Sequence, residues 1–149
     1  MKVALVDIHS RKFVINKDLS AGFGTTSDYG NNLLSTLLIS WKRNNVKIPI
    51  LMFGYLARIL QDNGHEVEII TTDNISNAKL YIIFSSLIEH KSEIMFAKKI
   101  KQETKSKVCF VGSFATINPD IFTEYSDLVI VGEPEQALME LKDNDIPTG

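Results

Sequence analysis

Two short apolar runs near the carboxyl end of the chain each stop at a glycine, and this feature most constrains the possible fold. Residues 108–111 precede Gly112, and residues 128–131 precede Gly132. A strand that ends at a glycine and leads into a helix is the repeating unit of an open α/β sheet. Ligands of such sheets bind in a crevice at the carboxyl ends of the strands. The sequence therefore predicts a binding domain whose crevice lies at these two turns.

Strands and helices are expected to alternate along the rest of the chain. Short apolar runs predict three further strands at residues 3–6, 67–70 and 80–84. Helical periodicity and helix-start signals predict helices from about residue 32, from about 49 to 62, over 90–104, after Pro119 and from Pro134. We predict an α/β fold with a doubly wound, five-stranded parallel sheet, flavodoxin-like in its strand order 2-1-3-4-5. Residues 1–142 would form this domain, and residues 143–149 a tail or the start of a linker.

The composition excludes several classes of partner. The 149 residues carry a net charge of −2, and a nucleic-acid partner would require a basic surface. No apolar run reaches the roughly 18 residues that span a bilayer. No signal peptide opens the chain, so we expect a cytoplasmic protein with neither a membrane nor a nucleic-acid partner. Cys109 is the single cysteine and lies in an apolar run, which predicts a buried core residue.

Small and polar residues follow the strand ends that would line the crevice, after residues 6, 84, 111 and 131. Gly112 would let the backbone approach a ligand closely. Ser113, Phe114 and Thr116 add two hydroxyls and a flat aromatic ring, a combination that favours a large, flat ligand with polar edges. Glu133 begins the last helix and disfavours an anion there, because its own charge already complements the helix dipole.

Two further strand ends carry candidate ligand-binding groups. Ser85 and Ser86 end the third strand, where hydroxyls either contact a ligand or hydrogen-bond to the turn itself. Asp7 and His9 end the first strand, where a carboxylate can orient an imidazole toward a metal. A structural or solvated histidine is the alternative for His9. His65 follows a helix-ending glycine and is predicted at the surface.

Residues 110–120 and 127–138 resemble the cobalamin-binding domain at the amino end of many radical S-adenosylmethionine enzymes. That family carries G-G-x-F/H-x-T-x-x-P-E after the fourth strand and D-x-V-V-x-G-E-G-E after the fifth. Ser113 replaces the second glycine of the first motif, and Pro134 replaces a glycine of the second. Residues 49–67 are similar to the family's P-x-G-L-x-Y-L-A-A-x-L-x-x-x-G-H-E-V. The resemblance spans about residues 46–141.

The resemblance implies that this domain binds cobalamin, with the tail of the cofactor in the crevice and the corrin ring over the strand ends. The wider cobalamin-binding fold has D-x-H-x-x-G after the first strand, and Asp7 and His9 fit it, although the glycine is not kept. His9 is thus a candidate axial ligand of cobalt, although radical S-adenosylmethionine members commonly lack one. The predicted cofactor-binding residues are Asp7, Ser85, Ser86, Leu87, Gly112, Ser113, Phe114, Thr116, Gly132 and Glu133.

The chain alone is not expected to be catalytic. One cysteine cannot supply the C-x-x-x-C-x-x-C triplet with which the family holds an iron–sulfur cluster. The resemblance implies a C-terminal radical S-adenosylmethionine barrel as a partner in the parent chain. That barrel would hold the 4Fe-4S cluster and S-adenosylmethionine for methyl transfer or related radical chemistry. The alternative is the N-terminal domain of a two-domain glycosyltransferase, indicated by residues 64–67 and a glycine loop at 22–24.

Overall fold

The computed structural model describes residues 1–8, 32–45 and 50–141. Within these ranges the strands form a five-stranded parallel sheet in the order β2-β1-β3-β4-β5. The predicted doubly wound, flavodoxin-like α/β fold is therefore confirmed. The strands are β1 (Lys2–Val6), β2 (Glu66–Ile70), β3 (Leu80–Phe84), β4 (Lys107–Val111) and β5 (Leu128–Val129). The predicted tail at 143–149 and the glycine loop at 22–24 lie outside the described residues.

Helices connect these strands, and most begin and end close to the predicted positions. They are α1 (Leu33–Asn45), α2 (Leu51–Asp62), α3 (His90–Glu103), α4 (Ser113–Ile117), α5 (Asp120–Thr123) and α6 (Pro134–Met139). α4 was not predicted, because five residues are too few to show a helical period. In α5 the side chain of Ile121 is 40% exposed, whereas its neighbour Phe122 is fully buried.

Successive strand residues point to opposite faces of the sheet, and each face has its own apolar cluster. One cluster contains Leu5, Ile82 and Cys109 and packs against α2 and α6. The other contains Tyr81 and Phe110 and packs against α3 and α5. Burial raises the pKa of the Cys109 thiol to about 12, so the group is neutral. The prediction that Cys109 is a core residue is confirmed.

The amino edge of the sheet is held by polar contacts between segments far apart in sequence. His65 is buried; its Nδ1 lies 3.3 Å from the amino terminus of Met1 and its Nε2 lies 3.2 Å from the carbonyl oxygen of Leu141. Asn63 donates from its side chain to the carbonyls of Leu138 and Met139. The prediction that His65 lies at the surface is wrong, because Met1 and Leu141, which follows α6, lie against its side chain. This Asn-Gly-His segment therefore has a structural role, opposite the carboxyl edge.

Asp127 ties β4 to β5 at the same amino edge. Its carboxylate accepts a hydrogen bond from the Val108 N–H at 2.9 Å and lies 3.2 Å from the Lys107 ammonium and 3.6 Å from that of Lys101. Burial alone would raise the pKa of Asp127. The hydrogen bonds and the two lysine charges outweigh burial, and together they hold that pKa below its ordinary value.

The depressed pKa of Asp127 predicts a loss of stability in acid. A carboxyl group whose pKa is lower in the folded state stabilises the fold above its ordinary pKa of about 3.9, and that contribution is lost as the pH falls through the folded value. We expect Asp127→Asn to cost about 1 kcal/mol at pH 7 and much less near pH 3. Urea unfolding of both proteins at the two pH values measures this difference, and a pH-independent difference would contradict it.

None of the helices in the described ranges combines the length and apolar character needed to cross a membrane.

Candidate functional site

A cavity of about 580 Å³ opens at the carboxyl edge of the sheet, between the ends of β3, β4 and β5 and the start of α2. Its volume falls within the range of about 300–1,000 Å³ that is typical of small-molecule sites. We call this cavity the crevice. It is lined by Leu51, Met52, Phe84, Gly112, Ser113, Thr116, Ile117, Gly132, Glu133 and Pro134.

Gly112 forms one wall of the crevice in a conformation that only glycine adopts readily. Its φ is +103°. A Cβ at this position would lie 3.1 Å from Cε1 of Phe84 and 3.2 Å from the carbonyl oxygen of Ser85. The turn after β4 therefore needs glycine for two independent reasons, namely its backbone angle and its close packing on the end of β3.

Gly132 also lines the crevice, and Thr116 connects the two glycine turns. Gly132 has a φ of +90°, and its N–H donates to the Thr116 hydroxyl at 3.0 Å. That hydroxyl in turn donates to the carbonyl of Gly112 at 3.0 Å, and the Gly132 carbonyl is a longer, alternative acceptor at 3.5 Å. The two turns are thus held at a fixed separation by one side chain that sits between them.

The structure brings half of the predicted cofactor-binding residues together in the crevice. Its lining includes Gly112, Ser113, Thr116, Gly132 and Glu133. The turns after β4 and β5 were predicted to lie at one crevice because a parallel sheet brings the carboxyl ends of its strands to one edge. Residues of both turns line the cavity. The other five predicted residues lie in the described part of the chain outside this lining, and the binding roles of all ten stay predictions. These five are Asp7, Ser85, Ser86, Leu87 and Phe114.

Phe114 packs in the core beside the crevice. Its ring lies edge-on to that of Phe122, with the centroids 6.0 Å apart, and 5.1 Å from the imidazole of His90. The side chain is 8% exposed. The aromatic residue of the motif therefore anchors α4 to the face of the sheet that α3 covers.

Ser86 hydrogen-bonds within the turn that begins α3. Its hydroxyl donates to one carboxylate oxygen of Glu93 at 3.1 Å, and its N–H donates to the other oxygen at 3.1 Å. The same hydroxyl accepts the N–H of Glu89 at 3.1 Å. Both glutamates are buried. The sequence left two interpretations open for these serines, namely contact with a ligand or hydrogen bonds to the turn. The contacts of Ser86 match hydrogen bonds to the turn.

Ser85 differs from Ser86 although the two are adjacent. Its N–H extends the sheet by donating to the carbonyl of Val111 at 2.8 Å. Its hydroxyl is buried and has no hydrogen-bond partner within the described ranges. A buried hydroxyl without a partner costs free energy, about 1–3 kcal/mol, and such groups often mark a ligand or ordered water.

The described residues at the end of β1 do not line the crevice. Asp7 is buried, and its N–H donates to the carbonyl of Ile70 at 2.8 Å. His9, the candidate cobalt ligand, lies outside the described residues. Over the described ranges, no group of three or more histidine, cysteine, aspartate or glutamate side chains is placed to hold a metal ion.

Five residues of the crevice were not predicted from the sequence. Leu51 and Met52 belong to it because α2 begins at the carboxyl edge, and Phe84 because β3 ends there. The sequence contained a signal for Phe84, since the last residue of a strand is adjacent to the loop that lines the crevice. Ile117 and Pro134 complete the lining.

The lining of the crevice contains one carboxylate, two hydroxyls, apolar side chains and backbone groups at two glycine turns. These parts can hold the polar edge of a ligand while apolar side chains contact its body. No family model, no curated protein and no solved structure matches this chain. The class that the fold supports is therefore an open α/β domain with a crevice at the carboxyl edge of its sheet.

Proposed function

We propose that this domain binds cobalamin in the crevice, as the cofactor-binding module of a radical S-adenosylmethionine enzyme. The observation that carries the proposal is the cavity lined by Gly112 and Gly132, two positive-φ turns at the carboxyl edge of a sheet of order 2-1-3-4-5. These are the two turns on which the resemblance rests. Open α/β sheets bind ligands at this edge.

The residues present fit such a cofactor. Gly132 lines the crevice and has open space where a Cβ would lie, so an extended group can approach its backbone closely. The unpartnered hydroxyl of Ser85 lies in the turn beside Gly112 and offers a hydrogen bond. Cobalamin would supply methyl-carrier or radical chemistry in the parent protein, and these residues would bind and orient it.

The radical chemistry of the parent enzyme requires residues that the present chain does not contain. One cysteine in 149 residues cannot bind an iron–sulfur cluster. The proposal therefore assigns cluster, S-adenosylmethionine and substrate to a barrel encoded with this domain. Sequencing the complete reading frame tests this part. We expect three cysteines in C-x-x-x-C-x-x-C spacing, and a frame without them would contradict the assignment.

Mapping the ligand by NMR tests the binding site. In a ¹⁵N-labelled sample titrated with hydroxocobalamin, we expect the largest shift changes at the amides of Gly112, Ser113 and Gly132. The amides of Asn63 and Asp127, at the amino edge, serve as internal controls and should change little. Changes centred on the amino edge would contradict a site in the crevice.

The described structure offers no observation in favour of a glycosyltransferase domain. The residues that suggested it, Gly64 and His65, lie at the edge opposite the crevice, and His65 contacts Met1 and Leu141. We therefore propose cobalamin binding rather than glycosyl transfer.

A further inference from the structure

The Gly132–Pro134 turn has few backbone donors left for a ligand. The N–H of Gly132 is taken by the Thr116 hydroxyl at 3.0 Å. Pro134 has no N–H. Two of the three backbone positions in this turn are therefore closed as donors, although all three residues line the crevice.

Two glutamates lie at this wall, Glu133 in the turn itself and Glu135 in the first turn of α6. Glu133 precedes α6, but its carboxylate makes no capping hydrogen bond to that helix. Glu135, two residues on, has a carboxylate oxygen that is buried with no hydrogen-bond partner in the described part of the chain. The lining residues of the crevice include no lysine, arginine or histidine. An anionic group held at this wall would meet like charge, with no cation among these lining residues to offset it.

We propose that the Gly132–Pro134 wall selects for hydrogen-bond donors, so that the crevice accepts corrinoids with peripheral primary amides and rejects their carboxylate counterparts. Glu133 is the specificity-determining residue, and Thr116 supports it by occupying the one glycine N–H that would otherwise attract an anion. This inference rests on the proposed function, since it specifies which chemical form of the cofactor the same site takes.

The test compares hydroxocobalamin with its separated monocarboxylic acids, in each of which one primary amide has been hydrolysed to a carboxylate. Equilibrium dialysis at pH 7.5 gives a Kd for each probe. At least one monocarboxylic isomer should bind about tenfold more weakly than hydroxocobalamin, because its carboxylate faces Glu133. Glu133→Gln should reduce that ratio to about one. Glu140→Gln is the matched control, since Glu140 is exposed on the same segment outside the crevice and should leave the ratio unchanged.

Thr116 variants give an independent readout. Thr116→Val removes the acceptor for the Gly132 N–H, so we expect that amide to exchange with solvent faster and the isomer ratio to fall. Thr116→Ser keeps the hydroxyl and should restore both values. Slow Gly132 exchange in Thr116→Val would overturn the role of Thr116.

The outcomes separate this inference from the proposed function. Equal affinity for all isomers, with hydroxocobalamin bound, would overturn the selectivity and leave the proposed function standing. A tenfold ratio that survives Glu133→Gln would overturn the role of Glu133. A wild-type domain that binds none of the probes would overturn the proposed function and, with it, this inference.

Discussion

Gly112→Ala is expected to destabilise the domain by about 2–4 kcal/mol and to weaken cobalamin binding at least tenfold. A side chain at φ +103° is strained, and its Cβ would press on the Phe84 ring and on the Ser85 carbonyl at 3.1–3.2 Å. Since Phe84 lines the crevice, relief of this contact moves the wall of the binding site. Stability and binding are therefore expected to fall together.

Two other glycines provide matched controls for this substitution. Gly132 has a φ of +90° but open space at its Cβ, so Gly132→Ala should cost only about 1 kcal/mol. Gly54 lies inside α2 with nothing within 4 Å of its Cβ, so Gly54→Ala should stabilise the domain by about 0.5–1 kcal/mol. Urea unfolding of the three variants measures the series. A Gly112→Ala protein as stable as the wild type would contradict the close packing at this turn.

Ser86→Ala is expected to destabilise the domain by about 2 kcal/mol, the second largest effect among these predictions. The substitution removes the hydroxyl that donates to Glu93 and accepts from Glu89, both of which are buried. Because these contacts lie within the turn, we expect the cobalamin affinity of the folded variant to change less than twofold. Urea unfolding and equilibrium dialysis on the same preparations measure the two effects.

Ser85→Ala is the neighbouring comparison and should behave in the opposite way. The hydroxyl of Ser85 has no partner within the described ranges, so its removal should cost less than about 0.5 kcal/mol of stability. In the proposed complex this hydroxyl hydrogen-bonds to the cofactor, so we expect the affinity for cobalamin to fall about fivefold. Ser85→Ala and Ser86→Ala proteins with the same stability and the same affinity would contradict the different roles that their contacts indicate.

The sheet could be predicted from the sequence because its strands are short apolar runs that end in distinct signals. β3 and its residues 80–84 were predicted without error, and Gly112 correctly marked the end of β4. α4 could not be predicted, since its five residues are fixed by tertiary contacts such as the packing of Phe114 on Phe122. The burial of His65 was not predicted for the same reason, because the residue that contacts its Nε2 is Leu141, which is distant in sequence.

The candidate site was predictable in its position and less so in its lining. A parallel sheet brings all carboxyl strand ends to one edge, so the turns at Gly112 and Gly132 could be placed together from the sequence. Which side chains line the crevice depends on how the helices pack on the sheet, and a sequence pattern does not give that packing. Phe114 accordingly packs inward, while Leu51 of α2 reaches the crevice.

Equilibrium dialysis of the purified domain against hydroxocobalamin tests the central claim most directly. We expect one bound corrinoid per chain with a Kd below about 100 μM. Gly112→Ala should bind hydroxocobalamin much more weakly, while Gly54→Ala should bind it as the wild type does. Folding of each protein is verified by its urea transition. A folded wild-type domain that retains no hydroxocobalamin at about 1 mM would contradict the assignment of this crevice to cobalamin.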